Sequence, residues 1–265
     1  IDRIGYQTNF TIYDTDDQKS VIRDACKKLN IDTKMLKERT IMSAISSAKD
    51  EMISPDEMEA NAGGDYNAKR IAGVYREYQK TLKANNALDF DDLIAEALSR
   101  KITGKQFKYL HVDEFQDINP AQYDLVRLWL GESGSLFAIG DPDQAIYSFR
   151  GAAADCFSLL QKDYPGAVSV RLTENYRSTP EVLNGALHVI QNNSGVRALA
   201  AMKPSGVPVR LVECASDLSE GIFIAKEIAR MTGGLDMLGK GREEKLRSFG
   251  DIAVLARTHR QLAAV

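Results

Sequence analysis

A chain of 265 residues has room for one large domain or two ordinary ones, and a 44% share of hydrophobic residues is enough for a sizeable core. Charged residues make up 27% and the net charge is −3, so no global basic field marks a nucleic-acid partner, although a local groove can still be basic. Cys26, Cys156 and Cys214 are scattered without a CxxC pair, His111, His188 and His259 lack zinc spacing, and neither a signal peptide nor an apolar run of membrane-spanning length occurs. These features exclude a disulfide scaffold and a zinc module, and they fit a reducing cytoplasm.

In chain order, residues 14–107 read as mostly helical. Thr15 and Gln18 have capping-box spacing, and Val21, Ile22, Ala25 and Leu29 then share one helix face. Ser54-Pro55-Asp56-Glu57 is a second helix start, with proline at the first helical position. After the break at Gly63-Gly64, Ile71, Val74, Tyr75, Tyr78 and Leu82 recur at helical spacing up to Asn85. Another helix is expected from Asp89 in LDFDDLIAEAL. Beyond residue 107 the pattern changes to strands at 108–112, 135–139, 167–172, 207–213 and 250–256, alternating with helices at 120–130, 152–162, 179–191 and 217–231. That alternation predicts an α/β fold with a parallel sheet and flanking helices. The stretch 232–249 reads as a surface loop, and Tyr164-Pro165-Gly166 as a turn between two α/β regions.

Three segments carry chemistry. In KYLHVDEFQD, Tyr109, Leu110 and Val112 read as a short buried strand, and Asp113 and Glu114 follow where it leaves the sheet. Ligands of open α/β sheets bind at that edge. Two carboxylates there can hold Mg²⁺ through waters and accept a proton from a water attacking a phosphate. An acidic helix start would use the same residue types. The second segment, GDPDQAIYSFRGA, follows another apolar strand; Gln144 offers an amide to a phosphate or its water. Tyr147, Phe149 and Arg150 can stack on unpaired bases and meet a phosphate, or form an ordinary apolar patch with a paired arginine. In LTENYRSTPEVL, Arg177 lies between a strand and the Pro180 helix start, where a guanidinium can stabilise charge developing on a γ-phosphate, and Tyr176 can stack on an adenine.

In order and spacing, these three segments resemble motifs II, III and IV of superfamily 1 DNA helicases of the UvrD/Rep/PcrA type. NFTIYDTDDQ at 9–18, ALDFDDLI at 87–94 and FGDIAVLARTHRQ at 249–261 extend the resemblance over nearly the whole chain. The resemblance implies RecA-like P-loop NTPase motor domains with a mostly helical insertion. Residues 1–13 would belong to the first motor domain, 14–88 to the insertion, 89–165 to the first motor domain again, and 166–265 to the start of the second. It implies ATP and Mg²⁺ as cofactors, with Asp113 and Glu114 in the metal and general-base roles. Gln144 would sense the γ-phosphate, Arg177 would act as the arginine finger and Tyr176 would stack near the adenine. Tyr147, Phe149, Arg150 and Arg257 would contact DNA, with single-stranded and duplex DNA as partners and 3′ to 5′ as the direction. A helicase–nuclease recombination subunit, or a helicase-like DNA-binding scaffold without hydrolysis, would share the same motifs.

The motor also needs a GxxxxGK[ST] phosphate cradle. The nearest match, Gly234 to Gly241, lacks the Ser or Thr and follows a helix instead of a strand. The cradle is therefore expected upstream of Ile1 and the remaining motifs beyond Val265, in a longer protein; the segment by itself is expected to lack turnover.

Overall fold

The computed structural model describes residues 5–99, 107–131, 134–146, 156–193, 198–233 and 247–263. Two compact units divide between Arg171 and Leu172.

The first unit opens with strand β1 (Thr11–Tyr13), which pairs in parallel with β2 (Ala87–Asp89), Thr11 opposite Ala87. Parallel neighbours require a crossover. Here it consists of four helices: α1 (Thr15–Lys28), α2 (Glu38–Asp50), α3 (Pro55–Asn61) and α4 (Tyr66–Ala84). The chain thus leaves at Tyr13 and returns alongside its own departure point. The cap of α1 differs from the expected Thr15–Gln18 box. Asp14 is the N-cap; its Oδ1 accepts from the amides of Asp16 and Asp17 at 2.8 and 3.0 Å, and the Asp17 carboxylate accepts from the Asp14 amide. A carboxylate one residue earlier is the stronger acceptor for these amides, so Thr15 becomes the first helical residue. Of the expected face, Ile22 and Ala25 are buried beside Cys26 and Val21 packs half-buried against the same core, while Leu29 lies exposed at the C-cap. Ser54 and Glu57 form the second capping box with Pro55 behind it, and Asp65 caps α4. All five apolar positions expected on α4 are buried, against Ile41 and Ile45 of α2 and Cys26 of α1.

At the end of this helical core lies a buried charge cluster. The Lys49 ammonium sits 2.6 Å from Asp89 and 2.7 Å from Asp92, with all three side chains almost fully enclosed. The Tyr78 hydroxyl donates to Asp89 at 2.8 Å, the Gln79 amide donates to Asp92 at 2.9 Å, and the Asp92 amide returns to Asp89 at 2.8 Å. Burial is the largest single influence on Asp89 and opposes its ionisation, but the Lys49 charge, together with hydrogen bonds from Lys49, the Asp92 amide and Tyr78, outweighs it and holds that carboxyl below its ordinary range. Burial pushes the Asp92 carboxyl up, and Lys49 offsets this only in part. These residues join the end of α2 to β2 and to α5 (Phe90–Ser99).

The second core of this unit surrounds β3 (Tyr109–Val112) and β4 (Ser135–Ala138), again parallel, with Val112 opposite Ala138. Leu110, Val112, Leu136 and Ala138 turn one face toward Phe115, Val126 of α6 (Pro120–Leu130) and Cys156 of α7 (Cys156–Asp163). Tyr109, expected in the core, is 65% exposed because strand side chains alternate and the described helices cover only the opposite face. Asn119 caps α6 through the Gln122 amide at 2.7 Å and donates its own Nδ2 to Asp50 at 2.6 Å, tying the end of α2 to the start of α6.

The second unit holds β5 (Glu174–Asn175) and β6 (Ala200–Ala201), a short parallel pair, with helices α8 (Pro180–Ile190), α9 (Asp217–Met231) and α10 (His259–Leu262). Thus parallel pairing and flanking helices occur, but the described residues form three two-stranded ladders instead of one continuous sheet. The expected strands at 167–172, 207–213 and 250–256 have no ladder among the described residues, and 249–251 is a 3-10 turn. Extended backbone becomes strand only beside another strand. Here the apolar side chains stay open to solvent, with Val168 88% and Leu255 92% exposed.

Two outcomes follow from the buried charges. Lys49→Ala leaves two enclosed carboxylates without their cation and is expected to cost about 3–5 kcal/mol in urea unfolding. Burial, with like charge on Asp91 and Glu51 adding to it, raises the Asp50 carboxyl from 3.8 to about 6. The folded state therefore holds this proton more tightly than the unfolded chain, so its stabilising contribution is complete below about pH 4 and is lost as pH rises through about 6. Asp50→Asn keeps an acceptor for Asn119 and removes the titration, so the variant should gain on the parent between pH 4.5 and 7.5 in unfolding midpoint. A difference independent of pH would contradict this.

Candidate active site at the paired strand ends

Parallel pairing brings the carboxyl ends of β3 and β4 to one edge. The ladder continues past both strands: the Ile139 amide donates to Val112 and the Phe115 amide to Ile139, each at 2.8 Å. Asp113 and Glu114 leave from the first strand, and Gly140 and Asp141 from the second. Both acids of the pair are exposed, and Asp113 Oδ1 accepts from the Glu114 amide at 2.9 Å. Glu114 adopts φ 50° and ψ 41°, the left-handed region. A non-glycine residue there costs about 1–2 kcal/mol, and such strain clusters at functional sites. The Phe115 bond to Ile139, and the 2.9 Å bond from the Asp117 amide to the Glu114 carbonyl, hold it in place.

A polar chain runs from this carboxylate to the second segment. The Gln116 side chain is 2% exposed. Its Nε2 donates to Glu114 Oε2 at 2.7 Å, and its Oε1 accepts from the Asp141 amide at 3.0 Å. Asp141 in turn accepts through Oδ1 from the Asp143 amide at 3.0 Å and through Oδ2 from Gln144 Nε2 at 2.9 Å. Glu114 and Gln144, thirty positions apart, are thereby linked through Gln116 and Asp141. Neither linker was singled out for a site role from sequence. The signal was a glutamine between Phe115 and Asp117, two positions after Glu114, but an amide there fits a solvated surface equally well until its burial is known.

Gly140 makes room for this chain. A Cβ at this position would lie 2.3 Å from Gln116 Oε1, and 3.0 Å from both the Phe115 nitrogen and Phe157 Cζ.

The remaining expected residues lie elsewhere or outside the described parts. Tyr147, Phe149 and Arg150, and the glycine-rich stretch 234–241, are outside the described residues. Tyr176, Arg177 and Arg257 are exposed in the second unit. The Asn175 side chain accepts from the Arg177 and Ser178 amides at 3.1 and 2.8 Å, forming the turn that carries Arg177 into α8. The Tyr176 hydroxyl donates to Glu174.

The donor set suits a hydrated divalent ion. Two exposed carboxylates on adjacent residues, at a strand end, match the few protein ligands that Mg²⁺ takes when waters and phosphate oxygens complete its shell. Among the described residues, no group of three or more His, Cys, Asp or Glu side chains could hold a metal ion by itself. No helix among them is long and apolar enough to cross a membrane.

The paired strand ends carry their acids and linked glutamines at the edge where open α/β sheets take ligands. Comparison with known proteins gives the family. Residues 1–165 match the UvrD/REP helicase N-terminal domain and residues 170–265 the UvrD-like helicase C-terminal domain. The chain belongs to the UvrD/REP helicase family. It is 38% identical over 270 aligned positions to the ATP-dependent DNA helicase PcrA of Staphylococcus aureus, and 37% identical to that of Staphylococcus epidermidis. Each alignment covers 98% of this chain and 35% of the relative, so the chain spans about a third of the length of these relatives.

Gly140→Ala is expected to displace the Gln116 amide and to destabilise the first unit by about 1–3 kcal/mol. An unfolding midpoint unchanged from the parent would show that the strand end tolerates the methyl group.

Proposed function

We propose that this chain works within an ATP-dependent DNA helicase of the cytoplasm that translocates 3′ to 5′ on single-stranded DNA and opens duplex DNA. The observation that carries this reading is the hydrogen-bonded path from Glu114 through Gln116 and Asp141 to Gln144 at one sheet edge. Family membership and the likeness to the ATP-dependent DNA helicase PcrA support it.

In this reading the first unit is a RecA-like motor domain, and residues 14–88 are its helical insertion. The return of the chain from α4 into β2, beside β1, supports that division. Residues 166–265 begin the second motor domain. Bound Mg²⁺·ATP supplies the scissile phosphoanhydride and neutralises its charge. Asp113 holds the hydration shell of the ion, and Glu114 takes the proton from the attacking water. The Gln144 amide meets the γ-phosphate or that water. The Arg177 guanidinium stabilises charge developing on the transferred group, and the Tyr176 ring stacks on the adenine. Tyr147 and Phe149 stack on successive bases without reading their identity, and Arg150 and Arg257 meet backbone phosphates.

The test is ATP turnover in the presence of single-stranded DNA. In the complete helicase containing this segment, Glu114→Gln is expected to lower kcat by about 10²–10⁴-fold while DNA affinity is kept. The isolated 265-residue chain is expected to show negligible turnover. A robust rate from the isolated chain, lost on Glu114→Gln, would overturn the expectation that other segments complete the site.

A further inference from the structure

The role of the base leaves one buried polar group without a task. Gln116 is enclosed between Phe115 and the strand ends, and both ends of its amide are engaged. The chemistry fixes which end is which. A carboxylate can only accept, so the NH₂ group must face Glu114, and the Asp141 N–H can only donate, so the carbonyl must face Asp141. The side chain therefore cannot invert without losing both bonds. It sits between a base on strained, left-handed backbone and a turn whose carboxylate holds Gln144. A Cβ at Gly140 would lie 2.3 Å from Gln116 Oε1, so the glycine is what lets that amide occupy its place.

We propose that Gln116 is a positioning residue for phosphoanhydride hydrolysis, clamping the Glu114 carboxylate to the Asp141–Gln144 turn so that base and phosphate-facing amide keep one fixed separation. This rests on the reading of Glu114 as the general base. Gln116 touches no reacting atom in this role. It acts by preventing the exposed Glu114 side chain from sampling other rotamers, and by making any shift of the Asp141 turn a shift of the base as well.

Two substitutions separate the ends of the clamp. Gln116→Met keeps length and volume and removes both hydrogen bonds. Gln116→Glu keeps an acceptor for the Asp141 amide but turns a like charge toward Glu114. In the complete helicase, with saturating single-stranded DNA, both should lower kcat for ATP by about 10–100-fold, the scale of a base misplaced by about an ångström. KM for ATP should stay within about threefold, because ground-state binding is untouched. Asp141→Ala breaks the same chain further on, so combining it with Gln116→Met should lower kcat much less than the product of the single effects.

Unfolding midpoints confirm that each variant is folded, and if Gln116→Met does not fold, Gln116→Glu carries the test alone. A kcat within twofold of the parent in a folded variant overturns the proposal. So does a loss carried wholly by KM, or a fully multiplicative double variant. Glu114→Gln separates the two layers. Unaltered turnover there removes the base assignment and this inference together. Abolished turnover there, beside normal kcat in the Gln116 variants, removes the positioning role alone.

Discussion

Parallel pairing makes two strands end at the same edge of a sheet, and the candidate site depends on that constraint. An antiparallel partner for β3 would carry its own carboxyl end to the opposite side. Because β3 and β4 run together with Val112 beside Ala138, the acids after one strand and the Gly140–Asp141 turn after the other emerge side by side. The ladder continues through Ile139 to Phe115, which leaves Glu114 little choice of backbone conformation. The strain at Glu114 and the burial of Gln116 are both consequences of two chains turning away from one edge in a small volume.

The first unit contains a second polar knot with a different purpose. Lys49, Asp89, Asp92 and Tyr78 are buried where the end of α2 meets β2 and α5. Such clusters seldom add net stability over apolar packing, but they penalise any arrangement that separates their members. Here Lys49 and Tyr78 come from within the helical excursion and Asp89 and Asp92 from the strand and helix that follow it, so the cluster selects one docking of the helices against the returning strand. The Asp50–Asn119 bond extends the same logic to α6, whose N-cap is thereby tied to the helical core. A path of packed and hydrogen-bonded groups thus runs from the helices to the elements beside the acids.

Much of this was legible in the sequence. The α4 stripe from Ile71 to Leu82 is a 3.6-residue pattern long enough to identify both the helix and its buried face. Ser54 with Pro55 and Glu57 announced α3 because capping is a local interaction among four residues. The DEFQD and GDPDQ segments stood out by residue type after apolar strands. Where the sequence misled, the deciding partner was distant or a competing group was close. Asp14 outcompetes Thr15 as a cap by one position. Tyr109 faces solvent because strand alternation and the covering helices decide its side. The segments around Val168, Val209 and Leu255 have strand-like composition, but a strand is defined by a neighbour, and composition does not supply one.

The sequence alone determined the local events: where helices start, which helix faces are apolar, and which residue types could serve a phosphate site. Those depend on side chains within a few positions of each other. Only the tertiary structure decided that Gln116 is buried and bridges Glu114 to Asp141, that Gly140 cannot carry a Cβ, and that Lys49 is held between Asp89 and Asp92. The bond from Asp141 to Gln116 spans 25 positions and that from Lys49 to Asp89 spans 40, and their energies arise from removing polar groups from water. Burial of that kind belongs to the assembled edge of the sheet and cannot be read from any one segment.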